Sequence, residues 1–79
     1  MPPLHLTRLP KKQQRLRQTL VRVSQTIPAD RHFTEPEINA YLRPIYADYA
    51  LLRRELIDYQ FLARTADGTA YWRTPERTA

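Results

Sequence analysis

The sequence predicts a small α+β domain in which three helices are followed by a β-hairpin. Three observations carry that expectation. Apolar residues recur at helical spacing over three stretches, each bounded by a capping signal or a proline. After the third stretch, two short β-prone runs at 60–64 and 69–73 flank Asp67-Gly68, a strong signal for a tight hairpin turn. Finally, 79 residues leave room for one core, which at this size supplies only ~3–5 kcal/mol of net stability.

Taken in order, residues 1–9 contain Pro2 and Pro3 and no apolar period. They read as an N-terminal arm that is flexible at its tip. The domain proper is expected over 10–74, with a short tail at 75–79. From Pro10 to about Thr26 the spacing predicts a first helix. Leu9, Leu16, Leu20, Val23 and Ile27 form its apolar stripe, and Lys11, Arg15, Gln18 and Arg22 a basic stripe on the opposite side. Val21 points away from the apolar stripe, which is odd for a monomer. Pro28 stops the helix.

Residues 31–33 form a short extended piece. Thr34-Glu35-Pro36-Glu37 is a capping box that opens the second helix. Ile38, Tyr41, Leu42 and Ile45 are its expected inner residues, and Pro44 should end or kink it at Arg43. Asp48 caps a third helix reaching about Tyr59, with Tyr49, Leu52, Leu56 and Tyr59 inward and an Arg54/Asp58 pair outward. If the hairpin closes with a two-residue type I′ loop, Ala63 faces Trp72. Phe61, Ala63 and Trp72 then share the core face, with Trp72 as the anchor. Leu62, Arg64, Tyr71 and Arg73 share the outer face. A three-residue bulged loop would instead bring Leu62 beside Trp72, and the first register is preferred. Three helices and a two-stranded hairpin are the plan of a small winged helix-turn-helix. The third helix would be its recognition helix and Asp67-Gly68 the tip of its wing.

Charge is distributed unevenly. Residues 1–29 hold Arg8, Lys11, Lys12, Arg15, Arg17 and Arg22 and no acid, a net +6. From Asp30 onward seven arginines face eight acids, a net −1. The whole excess therefore lies in the first third, which suits an anionic partner. Other classes fall away. There is no cysteine, hence no disulfide framework, thiolate metal site or cysteine nucleophile. No apolar run approaches a membrane span, and the first 20 residues lack the core of a signal peptide, so a cytoplasmic location is expected. His5 and His32 lie far apart, Ser24 is the only serine, and one glycine cannot build a phosphate-cradling loop. No enzyme, metal site, cofactor or small-molecule substrate is expected.

Four stretches carry a resemblance: Leu-Pro-Lys-Lys from Leu9, Phe-Thr-Glu-Pro-Glu-Ile-Asn from Phe33, Asp-Tyr-Ala-Leu-Leu-Arg-Arg-Glu-Leu-Ile-Asp-Tyr from Asp48, and Tyr-Trp-Arg from Tyr71. Together they resemble the bacterial Domain of Unknown Function 2087 family over about residues 9–73. The segment from Asp48 and the closing Tyr-Trp-Arg are the specific part. That family occurs alone and fused to helix-turn-helix regulators, so the resemblance implies a bacterial, regulatory setting. It implies no activity and transfers no functional residue. Two departures stand out: Pro44 interrupts a helix that usually runs on, and Gln60 replaces a usual glycine.

The expected function is that of a small DNA-binding regulator or accessory protein, with RNA as a second candidate polymer. Lys11, Lys12, Arg15 and Arg22 would track phosphates. Arg53 and Arg54 would approach the major groove, and Arg64 and Arg73 would hold the backbone or minor groove from the wing. The alternative is a protein-interaction module, homotypic or heterotypic, using Val21, Leu51 and Ile57 around the outer face of the third helix.

Overall fold

The computed structural model describes residues 4–75; the tip of the expected arm and residues 76–79 of the expected tail lie outside the described residues. Six elements follow one another: α1 (Gln13–Ser24), β1 (His32–Phe33), α2 (Glu35–Leu42), α3 (Tyr49–Asp58), β2 (Leu62–Arg64) and β3 (Tyr71–Arg73). The helices bury Leu16, Leu20, Val23, Ile38, Leu42, Leu52 and Leu56 against one another. The apolar spacing placed every one of these inward. Tyr49 and Tyr59 remain only partly buried at the edge of the core.

The first helix is shorter than its apolar spacing predicts. Lys12 offers no capping side chain and the first turn holds no acid, so nothing supports helix at residues 10–12. At the other end Thr26 and Ile27 turn tightly back onto the Val23 and Ser24 carbonyls, and the Ser24 and Thr26 hydroxyls donate to Val21 and Val23 oxygens. The capping box of α2 forms as its residues predict. Glu37 N–H donates to Thr34 Oγ1 at 3.3 Å and Thr34 N–H to Glu37 Oε1 at 2.8 Å. That bond from the Thr34 backbone, then the Thr34 hydroxyl and then Arg31, hold the Glu37 carboxyl below its ordinary range. The helix ends at Leu42, ahead of Pro44, and both Ile45 N–H and Tyr46 N–H close onto the Leu42 carbonyl. Asp48 Oδ1 accepts from Leu51 N–H and starts α3.

The exit of α3 reverses through Gln60, whose φ is 66°. Gln60 N–H bonds to Ile57 O, and Phe61 N–H bonds to Leu56 O. This pair of bonds is a Schellman stop, whose left-handed position normally takes glycine.

The sheet corrects the sequence reading in three ways. It has three strands, not two, in the order β1-β3-β2, because the extended piece at His32–Phe33 pairs with β3. The expected pairing of Ala63 with Trp72 is present, but the loop is not type I′. Thr65 N–H reaches Ala70 O, leaving four residues in the loop, and among the non-glycine residues there none has positive φ. Asp67 holds that loop by accepting from the Thr65 hydroxyl, the Thr69 N–H and the Thr69 hydroxyl. The Thr65 and Thr69 hydroxyls, then the Thr69 N–H, lower its carboxyl below the ordinary range. Third, the faces are inverted. Leu62 and Tyr71 lie in the core with Phe33, whereas Trp72 stands on the other face, half-buried and stacked on His32 at 4.9 Å. Trp72 is therefore not a core anchor.

Residues of the expected arm lie against the domain from Leu4 onward. Leu4, Leu6 and Leu9 pack on the core, and Leu6 N–H donates to Ile45 O at 2.6 Å.

Candidate nucleic-acid interface

The basic stripe of α1 is on the surface. Lys11, Lys12, Arg15 and Arg22 are all exposed. The chain bends at residues 7–8 and 11–12, and Arg8, Lys11, Lys12 and Arg15 line one cavity of about 340 Å3. Among the described residues the ion pairs are Arg31–Glu37, Arg53–Glu35 and Arg54–Asp58, so none of these four cations is neutralised. Four like charges around one cavity repel one another unless an anion sits between them. The uncapped start of α1 adds its partial positive charge there. Arg8 stands outside the helical period, so the helical spacing does not place it with the other cations. Its signal was the short spacing to Lys11 and Lys12 across a proline.

The arginines expected on the recognition helix and wing are in different states. Arg53 is turned back into the fold. Its guanidinium donates to Asn39 Oδ1 on α2, lies 3.4 Å from Glu35 and 5.9 Å from the Tyr71 ring centroid, and the side chain is only 19% exposed. Arg54 points outward, 79% exposed, with Asp58 at 3.8 Å. Arg64 folds under the hairpin loop, donating to Thr65 O and Ala66 O. Arg73 donates to Ile27 O at 3.1 Å and ties β3 to the exit of α1. Arg53, Arg54 and Arg64 nevertheless border one cleft of about 460 Å3 between α3 and the hairpin, with Asp58 and Tyr71. The predicted residues thus fall into two clusters, one at the start of α1 and one beside α3. Arg22 and Arg73 belong to neither.

The three apolar residues suggested for a protein interface differ in exposure. Leu51 is 38% exposed. Val21 and Ile57 are half-buried; Val21 lines a cavity beside Tyr59, and Ile57 borders the cleft with Arg54. Among the described residues no group of three or more His, Cys, Asp or Glu could hold a metal ion, and no helix is long and apolar enough to cross a membrane.

Residues 5–73 match the model of a family described as "Uncharacterized protein conserved in bacteria (DUF2087)". No curated protein and no solved structure matches the chain.

Proposed function

Since the chain belongs to this family of uncharacterised bacterial proteins, whose description assigns no activity, we propose from the fold and the surface that it is a winged-helix DNA-binding module with a regulatory role in the cytoplasm. The observation that carries the reading is the set of cations at the start of α1, Arg8, Lys11, Lys12 and Arg15 around one cavity, with no ion pair among the described residues, continued along the helix by Arg22. The order of elements supports it. A strand between α1 and α2 joins the sheet, a tight turn links α2 to α3, and the hairpin follows α3 and borders a cleft with it. In this reading α1 grips phosphates, and Arg54, exposed and paired at the surface with Asp58, is the guanidinium that α3 offers to base edges. Arg53 serves the fold instead, because its donors are taken by Asn39 and Glu35.

The test is fluorescence anisotropy of labelled mixed-sequence duplex DNA titrated with the protein at about 50 and 200 mM salt. Binding that weakens at least several-fold between the two is the expected result. No complex at about 50 mM, where non-specific binders hold DNA, overturns the reading. Exposed Leu51 favours one other function, a protein-interaction surface on α3. There Leu51→Glu would leave the fold intact and abolish association measured by light scattering.

A further inference from the structure

A third face of α1, with Ser24 buried at its end, lies between the core and the basic stripe. Arg17, Val21 and Ser24, four and three residues apart, share it. This face meets the exit of α3 and the end of β3 across a cavity of about 310 Å3, at the small end of the range that holds organic ligands.

The cavity is built around one guanidinium. Arg17 lies 5.7 Å from the ring centroid of Tyr59 and 5.7 Å from that of Phe61. The left-handed turn at Gln60 folds the chain back so that both flanking rings reach the same cation. No carboxylate pairs with the exposed Arg17 among the described residues, so its paired N–H donors are open to a ligand. The Gln60 side chain lines the cavity with no hydrogen-bond partner among the described residues, at a backbone position that favours glycine. Strain of this kind, kept where a side chain borders a cavity, points to a role for that side chain. Val21, unexplained as an outward apolar residue of α1, is a wall of the cavity, and Pro75 is another.

A fork of donors beside two aromatic rings and Val21, with Ser24, Gln60 and Thr74 supplying the polar part of the wall, matches one ligand chemistry. A planar carboxylate satisfies the fork with two parallel hydrogen bonds, and a ring attached to it uses the apolar walls. A phosphate would leave the two rings and Val21 without a partner. We propose that this cavity, between α1 and the turn from α3 into β2, binds a small aromatic carboxylate. None of its residues belongs to the cationic cluster at the start of α1, so the site stands independently of DNA binding.

Benzoate is the probe, titrated to about 10 mM into the full chain and followed by heteronuclear NMR, a range in which even a millimolar ligand saturates. The expected result is saturable shifts confined to the Arg17 side chain, the Gln60 amide and the backbone of residues 21, 59 and 61. Benzamide, which has the ring and lacks the charge, binds at least about tenfold more weakly. Arg17→Lys keeps the charge and loses the fork, and weakens benzoate about tenfold. Val21→Trp fills the cavity and abolishes binding with Arg17 still present. Each variant is read alongside its thermal midpoint, and the benzamide comparison needs no variant at all. Glu76→Gln removes the nearest carboxylate in sequence beyond Pro75 and leaves benzoate binding equal or tighter. No saturable shift, equal binding of benzamide, equal shifts with inorganic phosphate, or a folded Val21→Trp that binds like wild type would each overturn the assignment.

Discussion

Two residues carry more of this fold than their type suggests. Gln60 occupies the left-handed position that ends α3, where a side chain costs about 1 kcal/mol or more relative to glycine. Gln60→Gly is expected to stabilise the domain by about 1 kcal/mol, raising the thermal midpoint by about 4–8 °C for a chain of this size. A lowered midpoint would mean that the Gln side chain makes a contact stronger than the strain it imposes. Arg53 is the second. It joins α3 to Asn39 and Glu35 of α2 while only 19% exposed, and hydrogen bonds from such a charged group are worth about 1–3 kcal/mol. Arg53→Ala should therefore lower stability by about 1–2 kcal/mol in denaturant unfolding. Arg54→Ala, one position on and 79% exposed, should stay within about 0.5 kcal/mol of wild type. The two neighbours read alike in sequence. Only the positions of Asn39 and Glu35 on α2 separate a structural arginine from an exposed one.

At the scale of elements, the hairpin illustrates what periodicity can and cannot decide. Its register was legible, because the residues flanking Asp67-Gly68 count outward to the same Ala63–Trp72 pair whether the loop has two residues or four. Its facing was not. One alternation offered Phe61, Ala63 and Trp72, the other Leu62 and Tyr71, and both are apolar enough to be buried. The tie is broken by β1, where Phe33 sits opposite Tyr71 and His32 opposite Trp72, a pairing with no local signal in the chain. Leu62→Ala, at 2% exposure, should cost about 2–5 kcal/mol, enough to unfold most of a domain this small. Trp72→Ala, which loses mainly the His32 stack, should cost only about 1–2 kcal/mol. The opposite ranking would place the core on the other face. The hairpin loop adds a pH term. The Asp67 carboxyl is lowered by its bonds from Thr65 and Thr69, so its contribution is present at neutral pH and is lost as the pH falls below about 4. Glu37 acts in the same direction at the start of α2. Asp67→Asn should shrink the loss of thermal midpoint between pH 7 and about 3.

For the whole molecule the question is whether its two cationic clusters meet one partner. The charge asymmetry was plain in the sequence, since residues 1–29 contain no acid. The grouping was not, because it depends on how the chain bends at residues 7–8 and 11–12 and on which arginines the fold consumes. The molecule measures 30 × 29 × 25 Å, less than one turn of duplex at about 34 Å. One duplex can therefore touch the start of α1 and the cleft beside α3 only if both lie on the same side. Salt dependence separates the cases. Each neutralised phosphate contributes about 0.9 to the slope of log affinity against log salt. Replacing Lys11, Arg15 and Arg22 together with Ala should flatten the slope by about 2.7, and Arg54→Ala with Arg64→Ala by a further ~1.8 if both clusters bind the same duplex. A triple variant with the slope of wild type would remove α1 from the interface. A normal response of the triple variant, with no further change from the Arg54 and Arg64 substitutions, would confine DNA to α1. The outer face of α3, with Leu51 at its edge, would then be left to a protein partner.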